Sequence, residues 1–129
     1  MATPGQIQEV ARHFVIACIW ADCPEGTNPR APMRAQRTAF DQCKTFIDRN
    51  LDLFNAAMSC ASAGYGSHPD AGSAEAQFGH DLYLSARGHG TGFFDRKELS
   101  ESLRDALQNA ANKSGMSEPY FYRGWLYFQ

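Results

Sequence analysis

The feature that most constrains the fold is a long stretch, residues 33 to 63, that contains neither glycine nor proline. Within this stretch, large apolar residues and one cysteine recur at intervals of three and four: Phe40, Cys43, Ile47, Leu51, Phe54 and Met58. This spacing is typical of the buried face of an α-helix. The sequence therefore predicts a long amphipathic helix that begins near Met33 and packs along another helix and across a sheet.

Two more helices are predicted, one on each side of that stretch. The first begins at Thr3, which forms a capping box with Gln6, and Pro4 suits its first helical position. A segment with three prolines, residues 22–32, then predicts a loop. The last helix is predicted from an apolar stripe and a capping box of Asp95 and Glu98. Its stripe consists of Leu99, Leu103, Ala106, Leu107 and Ala110.

Strand signals are confined to the second half of the chain. Residues 81–85 alternate like a strand, residues 87–92 are rich in glycine, and Phe93 and Phe94 begin a return strand. In such a hairpin Asp81 lies opposite Arg96. A second hairpin is predicted for residues 120–128, with a tight turn at Arg123-Gly124.

These elements predict an α+β fold. We expect two N-terminal helices and a third helix packed on a mostly antiparallel sheet of about four strands, with residues 1–129 as a single domain. Residues 61–78 are predicted as a long loop, either a surface insertion or a mobile flap over a site. The expected core contains Phe14, Phe40, Ile47, Phe54, Leu84, Phe93, Leu103 and Phe121.

Charge and hydropathy exclude several classes of protein. The 12 Lys and Arg against 14 Asp and Glu give a net charge of −2, which argues against a general polyanion binder. The longest apolar run, residues 14–21, is far shorter than the ~20 residues of a transmembrane helix. Glu9, Arg12 and His13 interrupt the apolar stretch that a signal peptide requires. We expect an intracellular protein whose four cysteines are reduced thiols, with a zinc site as the less favoured alternative.

Catalytic motifs are missing from the sequence. On the predicted first hairpin, His80 and His89 stand at opposite ends, roughly 20 Å apart, so they share neither a metal nor a proton relay. The glycine-rich turn also lacks the carboxylates that a calcium loop requires at its first positions, where Arg87 and His89 stand. We therefore predict no catalytic residue, no metal site and no cofactor.

Two surfaces are predicted to bind macromolecules. Tyr120, Tyr122, Trp125 and Tyr127 share one side of the C-terminal hairpin, which suits a protein-binding surface or a sheet face covered by helices. The glycine-rich turn adds Arg87 and His89 as a second contact with a protein. The alternative is nucleic-acid binding through a basic face, or simply a solvated helix face, formed by Arg30, Arg34, Arg37 and Lys44.

Residues 79–96, here called the signature segment, read GHDLYLSARGHGTGFFDR. This segment resembles the run GHDFWLTRNGHGAGFWDR of a family of small bacteriophage proteins, and the positions at which it departs from that run include Ala86, Arg87 and Phe94. The resemblance implies a phage origin and action in the cytoplasm of the bacterial host. It suggests a stoichiometric inhibitor of a bacterial defence complex, such as an anti-CRISPR protein that binds a CRISPR effector, rather than an enzyme. The alternative is a nucleic-acid-binding accessory protein.

Overall fold

The structure is a computed structural model, and it describes residues 2–25, 29–68 and 71–129. The described residues form five α-helices and one antiparallel strand pair. The helices are α1 (Pro4–Asp22), α2 (Met33–Arg49), α3 (Leu51–Ser59), α4 (Ala74–Ala86) and α5 (Glu101–Asn112). The strands are β1 (Pro119–Tyr122) and β2 (Trp125–Phe128), and short 3-10 helices occupy Cys60–Ala63 and Phe93–Asp95.

The start of α1 is confirmed in detail. The hydroxyl of Thr3 accepts a hydrogen bond from the backbone N–H of Gln6, whose side-chain oxygen accepts one from the N–H of Thr3. These two bonds satisfy N–H groups that lack a partner within the helix. Helix α1 then packs mainly against α4 and also against α2. Part of the predicted 22–32 loop, residues 26–28, lies outside the described residues.

The predicted long helix is divided at Asn50. Asn50 has φ −130° and ψ 40°, outside the helical region, and its side-chain amide donates to the carbonyl of Phe46 at 2.9 Å. A polar side chain that bonds to the preceding turn competes with continuation of the helix. The apolar stripe therefore continues through two helices, α2 and α3, rather than one.

The predicted α+β fold, with three helices on a four-stranded sheet, is wrong. Residues 81–85 belong to helix α4, and Phe93 and Phe94 lie in a 3-10 helix. The described sheet is the single pair β1–β2. Helix α4 is buried on nearly all sides, so polar and apolar residues follow no helical stripe along it. In a helix without a stripe, five residues that alternate between polar and apolar types look like a strand in the sequence.

The predicted start of the last helix is also wrong, because Ser100 is the N-cap of α5 and its hydroxyl accepts the N–H of Leu103. Asp95 instead accepts a hydrogen bond from the hydroxyl of Thr91. The predicted loop at residues 61–78 contains a 3-10 helix and the first residues of α4. Pro69, within that loop, lies outside the described residues.

All eight residues of the predicted core are buried or half-buried. Five of its members are buried, and three are half-buried against the core. The buried members are Phe14, Ile47, Phe54, Leu84 and Phe93, and the half-buried ones are Phe40, Leu103 and Phe121. In the part of the chain that the structure describes, no helix combines the length and the apolar character needed to cross a bilayer.

Candidate functional site

The C-terminal hairpin forms as the sequence predicts. Tyr122 pairs with Trp125 and Tyr120 with Tyr127, around a turn in which Arg123 has φ 50° and Gly124 φ 81°. Positive φ at both turn residues matches the right-handed twist of two short strands. Leu126 is buried, and Phe121 and Phe128 pack against the core. Because side chains alternate along a strand, the tyrosines and the tryptophan point the other way.

Three of these outward rings are exposed. Tyr120, Tyr122 and Trp125 keep 43%, 57% and 39% of their surface accessible, whereas Tyr127 is half-buried. The rings of Tyr120 and Tyr127 stack, with centroids 5.1 Å apart. Helix α2 borders the Tyr120–Tyr127 end of this side, whereas Tyr122 and Trp125 stay accessible, so the helices of the described residues do not cover this face of the hairpin as a whole.

The segment before α2 extends the hairpin. The N–H of Arg30 donates to the carbonyl of Gly124 at 2.7 Å, and the N–H of Leu126 donates to the carbonyl of Arg30 at 2.9 Å. These bonds place the guanidinium of Arg30 over the ring of Trp125, 5.9 Å from its centroid. Arg123 stacks in the same way over Tyr122, at 5.2 Å. Both contacts are cation–π interactions.

Helix α2 brings a second arginine to the hairpin. Arg34 and Thr38 line a small cavity of about 170 Å³ together with Tyr120, Tyr127 and Phe128. The two surfaces predicted separately therefore meet, because the hairpin docks on the N-terminal half of α2. We call Arg30, Arg34, Tyr120, Tyr122, Trp125 and Tyr127 the aromatic–arginine face.

The other two residues of the predicted basic face differ from Arg30 and Arg34. Arg37 lies one turn further along α2, in a shallow depression with Met33 and Asp41. Lys44 forms an ion pair with Asp48 at 2.6 Å and lines no part of the hairpin cavity. Among the described residues, no carboxylate lies within salt-bridge distance of Arg30, Arg34 or Arg37. The aromatic–arginine face therefore carries uncompensated positive charge.

Arg87 and His89, the predicted second contact, lie beside Asp22 at the end of α1. Asp22 accepts hydrogen bonds from the hydroxyl of Tyr83 and from Nε2 of His89, the latter at 3.1 Å. Burial raises the pKa of Asp22, but these bonds and the positive charge of Arg87 outweigh burial and lower it. Arg87 also contacts Glu118 at 3.4 Å. His89 is thus held in place rather than carried on a free turn, and Asp22 is a partner that the sequence reasoning missed.

Asp81 of the signature segment is the centre of a buried polar cluster. Its carboxylate, 0% exposed, accepts hydrogen bonds from Nε of Arg96 at 2.9 Å, the hydroxyl of Tyr65 at 2.9 Å and the amide of Gln77 at 3.1 Å. Burial raises the pKa of Asp81 to about 6, against the opposing effect of Arg96 and the hydrogen bonds. The predicted pair of Asp81 and Arg96 is present, but it joins α4 to a loop instead of two strands.

Two glycines of the signature segment are required by close packing. A Cβ on Gly79 would collide with the carbonyl oxygen of Val10, where α4 crosses α1. Gly92 has φ 116°, and a Cβ there would collide with the hydroxyl of Ser85. That hydroxyl accepts the N–H of Phe93 at 3.2 Å. The signature segment is therefore a helix and a loop locked together by close packing and buried polar contacts.

The predicted separation of His80 and His89 rested on a strand, but His80 lies on helix α4, where it meets a histidine that the sequence reasoning did not consider. Nδ1 of His13 on α1 lies 3.2 Å from Nε2 of His80. Burial lowers the pKa of His13, and Arg12 lowers it further, while Glu9 raises it. Within residues 2–25, 29–68 and 71–129, no three histidine, cysteine or acidic side chains are placed to hold a metal ion. The four cysteines form no disulfide, and burial raises the pKa of Cys18 to about 11.

Comparisons of the chain with models of protein families, with curated proteins and with solved structures found no match. The resemblance of the signature segment to bacteriophage proteins therefore stays a prediction.

Proposed function

We propose that this chain is a phage-encoded, non-enzymatic protein that binds and blocks part of a bacterial defence complex, such as a CRISPR effector, in the host cytoplasm. The observation that carries the binding role is the aromatic–arginine face, where exposed Tyr122 and Trp125 adjoin arginines without a counter-charge. Trp, Tyr and Arg are the residues most enriched among energetic anchors of protein interfaces. The phage origin and the defence target rest on the resemblance of the signature segment.

The face also suits binding because its parts are held in place before a partner arrives. Two backbone hydrogen bonds fix Arg30 to the hairpin, and Trp125 and Tyr122 each lie under an arginine. A surface whose side chains are already ordered loses less conformational entropy on binding than a mobile one. The expected partner presents carboxylates around an apolar centre, because the face is cationic and aromatic.

Capture from a bacterial lysate tests this proposal. Wild-type protein, Trp125→Ala and Phe94→Ala are compared, and mass spectrometry identifies what each retains. Phe94 is a matched control because its ring is 52% exposed but lies outside the aromatic–arginine face. We expect a host protein that the wild type and the control retain and that Trp125→Ala binds at least about tenfold more weakly. Equal retention by all three contradicts the proposed surface, and turnover of a small molecule by the pure protein contradicts the non-enzymatic role.

A second candidate function, binding of single-stranded nucleic acid, is favoured by one contact. Arg34 adjoins the stacked rings of Tyr120 and Tyr127, and single-stranded nucleic acids bind where cations accompany aromatic platforms. If this candidate holds, a labelled single strand binds at low salt, its affinity falls steeply with salt, and Arg34→Glu with Arg37→Glu abolishes binding. Lys44→Glu is the control, since Lys44 is paired with Asp48. With a net charge of −2 we expect no binding.

A further inference from the structure

An open groove runs between α1 and α2. Its volume is about 600 Å³, within the range of ligand and peptide sites. Helix α1 contributes residues from three successive turns, and α2 contributes residues spaced three and four apart. The apolar lining is formed by Ala11, Val15, Ile16, Ala31, Met33 and Phe40, and the polar lining by Gln8, Arg12, Gln36 and Arg37. We call this feature the helix groove.

Two large apolar residues of the helix groove are unusually accessible. Met33 is 72% exposed and Ile16 39% exposed, although both are large and apolar. Trp20, one turn beyond Ile16 on α1, is 77% exposed. Large apolar side chains grouped in a concave surface mark a binding site more often than the same residues scattered singly. The part of α1 that lines the groove, from Gln8 to Ile16, is about 12 Å long at 1.5 Å per helical residue, and Trp20 lies one turn further on.

The charge of the helix groove selects the chemistry of its occupant. Both charged residues of the lining are arginines, and no carboxylate lines it. Arg12 is paired with Glu9 at 3.1 Å, whereas no carboxylate of the described residues lies within salt-bridge distance of Arg37. Arg34 adds a further cation in the depression next to Met33, where Asp41 is the single carboxylate beside two arginines. An occupant that places carboxylates beside an apolar strip would satisfy these arginines and cover the exposed residues together.

We propose that the helix groove binds an acidic amphipathic α-helix of about three turns from a protein partner. A helix of this kind places apolar side chains at i, i+3, i+4 and i+7 into a groove between two helices. Its glutamates or aspartates lie along the edge, opposite Arg37 and Arg34. The lining of the helix groove contains no residue of the aromatic–arginine face, and Arg34 is the one residue that the proposal shares with that face, at the edge of both.

Synthetic peptides test the charge requirement with the full chain. The probe is a labelled helical peptide of about three turns, with leucines at the spacing given above and glutamates on both flanks. A matched peptide keeps the leucines and carries lysines instead of glutamates. In a fluorescence anisotropy titration we expect the glutamate peptide to bind at least about tenfold more tightly. Equal affinity for the two peptides, or no binding of either, contradicts the proposal.

Variants of the protein test whether the peptide binds in the helix groove. Met33→Glu should weaken binding of the glutamate peptide at least about tenfold. Because Met33 is exposed, the variant should stay folded, which circular dichroism checks. Arg37→Glu should weaken the glutamate peptide and strengthen the lysine peptide, a reversal that unfolding cannot produce. Phe94→Glu, at another exposed apolar position outside the groove, should change neither affinity. If Met33→Glu and Arg37→Glu leave both affinities unchanged, the groove is not the site.

Other occupants give different results in the same samples. Self-association that Met33→Glu abolishes identifies a second copy, and binding to anionic vesicles that Met33→Glu abolishes identifies a lipid surface. Binding of single-stranded RNA that Met33→Glu abolishes, in a chain that binds neither peptide, identifies nucleic acid. Each of these outcomes refutes a helical peptide as the occupant. Trp125→Ala should leave peptide affinity unchanged, so this proposal and the proposed function can fail separately.

Discussion

The signature segment and the C-terminal hairpin place their charged and aromatic residues in opposite environments. In the signature segment Asp81 is fully buried, and Arg96, Tyr65 and Gln77 satisfy its carboxylate. On the hairpin, Tyr122 and Trp125 are exposed beside arginines that lack a counter-charge. A buried polar cluster whose bonds are all satisfied fixes one packing arrangement. Exposed aromatic and arginine side chains with unmet charge contribute little to folding and are available to a partner, so the residues that stabilise the fold and those proposed for binding lie in different regions.

The largest effect is expected at the buried ion pair. Arg96→Ala removes the cation beside Asp81 and leaves a buried carboxylate without its charged partner, which should lower the free energy of unfolding by about 3–5 kcal/mol. Urea denaturation followed by circular dichroism measures the change. Arg12→Ala is the matched control because it breaks an exposed ion pair with Glu9, and it should cost less than about 1 kcal/mol. Similar losses for the two variants would show that Asp81 is not desolvated.

A smaller loss is expected where the two helices cross. Gly79→Ala introduces a methyl group against the backbone of Val10, and overpacking of this kind costs about 1–3 kcal/mol. The control is Gly5→Ala, also in a helix, where a Cβ lies 3.9 Å from its nearest neighbour. Alanine there should stabilise by up to about 1 kcal/mol, because glycine is a poor helix former. Melting temperatures of the two variants should therefore shift in opposite directions.

The difference in stability between the wild type and Asp81→Asn should depend on pH, which would identify Asp81 as a group with a raised pKa. Its pKa is about 6 in the folded chain and 3.8 when unperturbed, so the folded state binds the proton more tightly than the unfolded state. The contribution of this group is fully present below pH 3.8 and is lost as the pH rises through about 6. The stability of the wild type relative to Asp81→Asn should fall over that range and stay constant above it. A constant difference from pH 4 to pH 7 would contradict the raised pKa.

The two regions also differ in how well the sequence predicts them. The hairpin has a two-residue turn that specifies its register. One of its faces is exposed and the other is buried, so the alternation of residue types along each strand predicts which side chains face solvent. Helix α4 has no such turn and no exposed face, because it is buried on nearly all sides. The alternation of Leu82 and Leu84 with Tyr83 and Ser85 spans too few residues to distinguish a strand from a buried helix. Tertiary burial, which no local pattern records, decided its conformation.

The candidate site was predicted in parts, and its assembly was not. Tyr122, Trp125 and Arg34 were each singled out, but their proximity depends on Arg30, which bonds to the hairpin turn across more than ninety residues of sequence. The turn position of His89 was predicted, but not its contact with Asp22. The helix groove was missed because Ile16, Trp20 and Met33 belong to no motif that indicates binding, and only the packing of α1 on α2 shows how far they are exposed.

The smallest effect on stability is expected on the aromatic–arginine face. Tyr122 is 57% exposed and its ring contacts Arg123, so Tyr122→Ala should change the free energy of unfolding by no more than about 0.5 kcal/mol. Leu126→Ala, on the paired strand but fully buried, should cost about 2–5 kcal/mol. Thermal denaturation of both variants separates a side chain that serves binding from one that serves folding. A loss above about 1 kcal/mol for Tyr122→Ala would mean that the ring stabilises the hairpin, and the aromatic–arginine face would then be part of the fold rather than a surface kept for a partner.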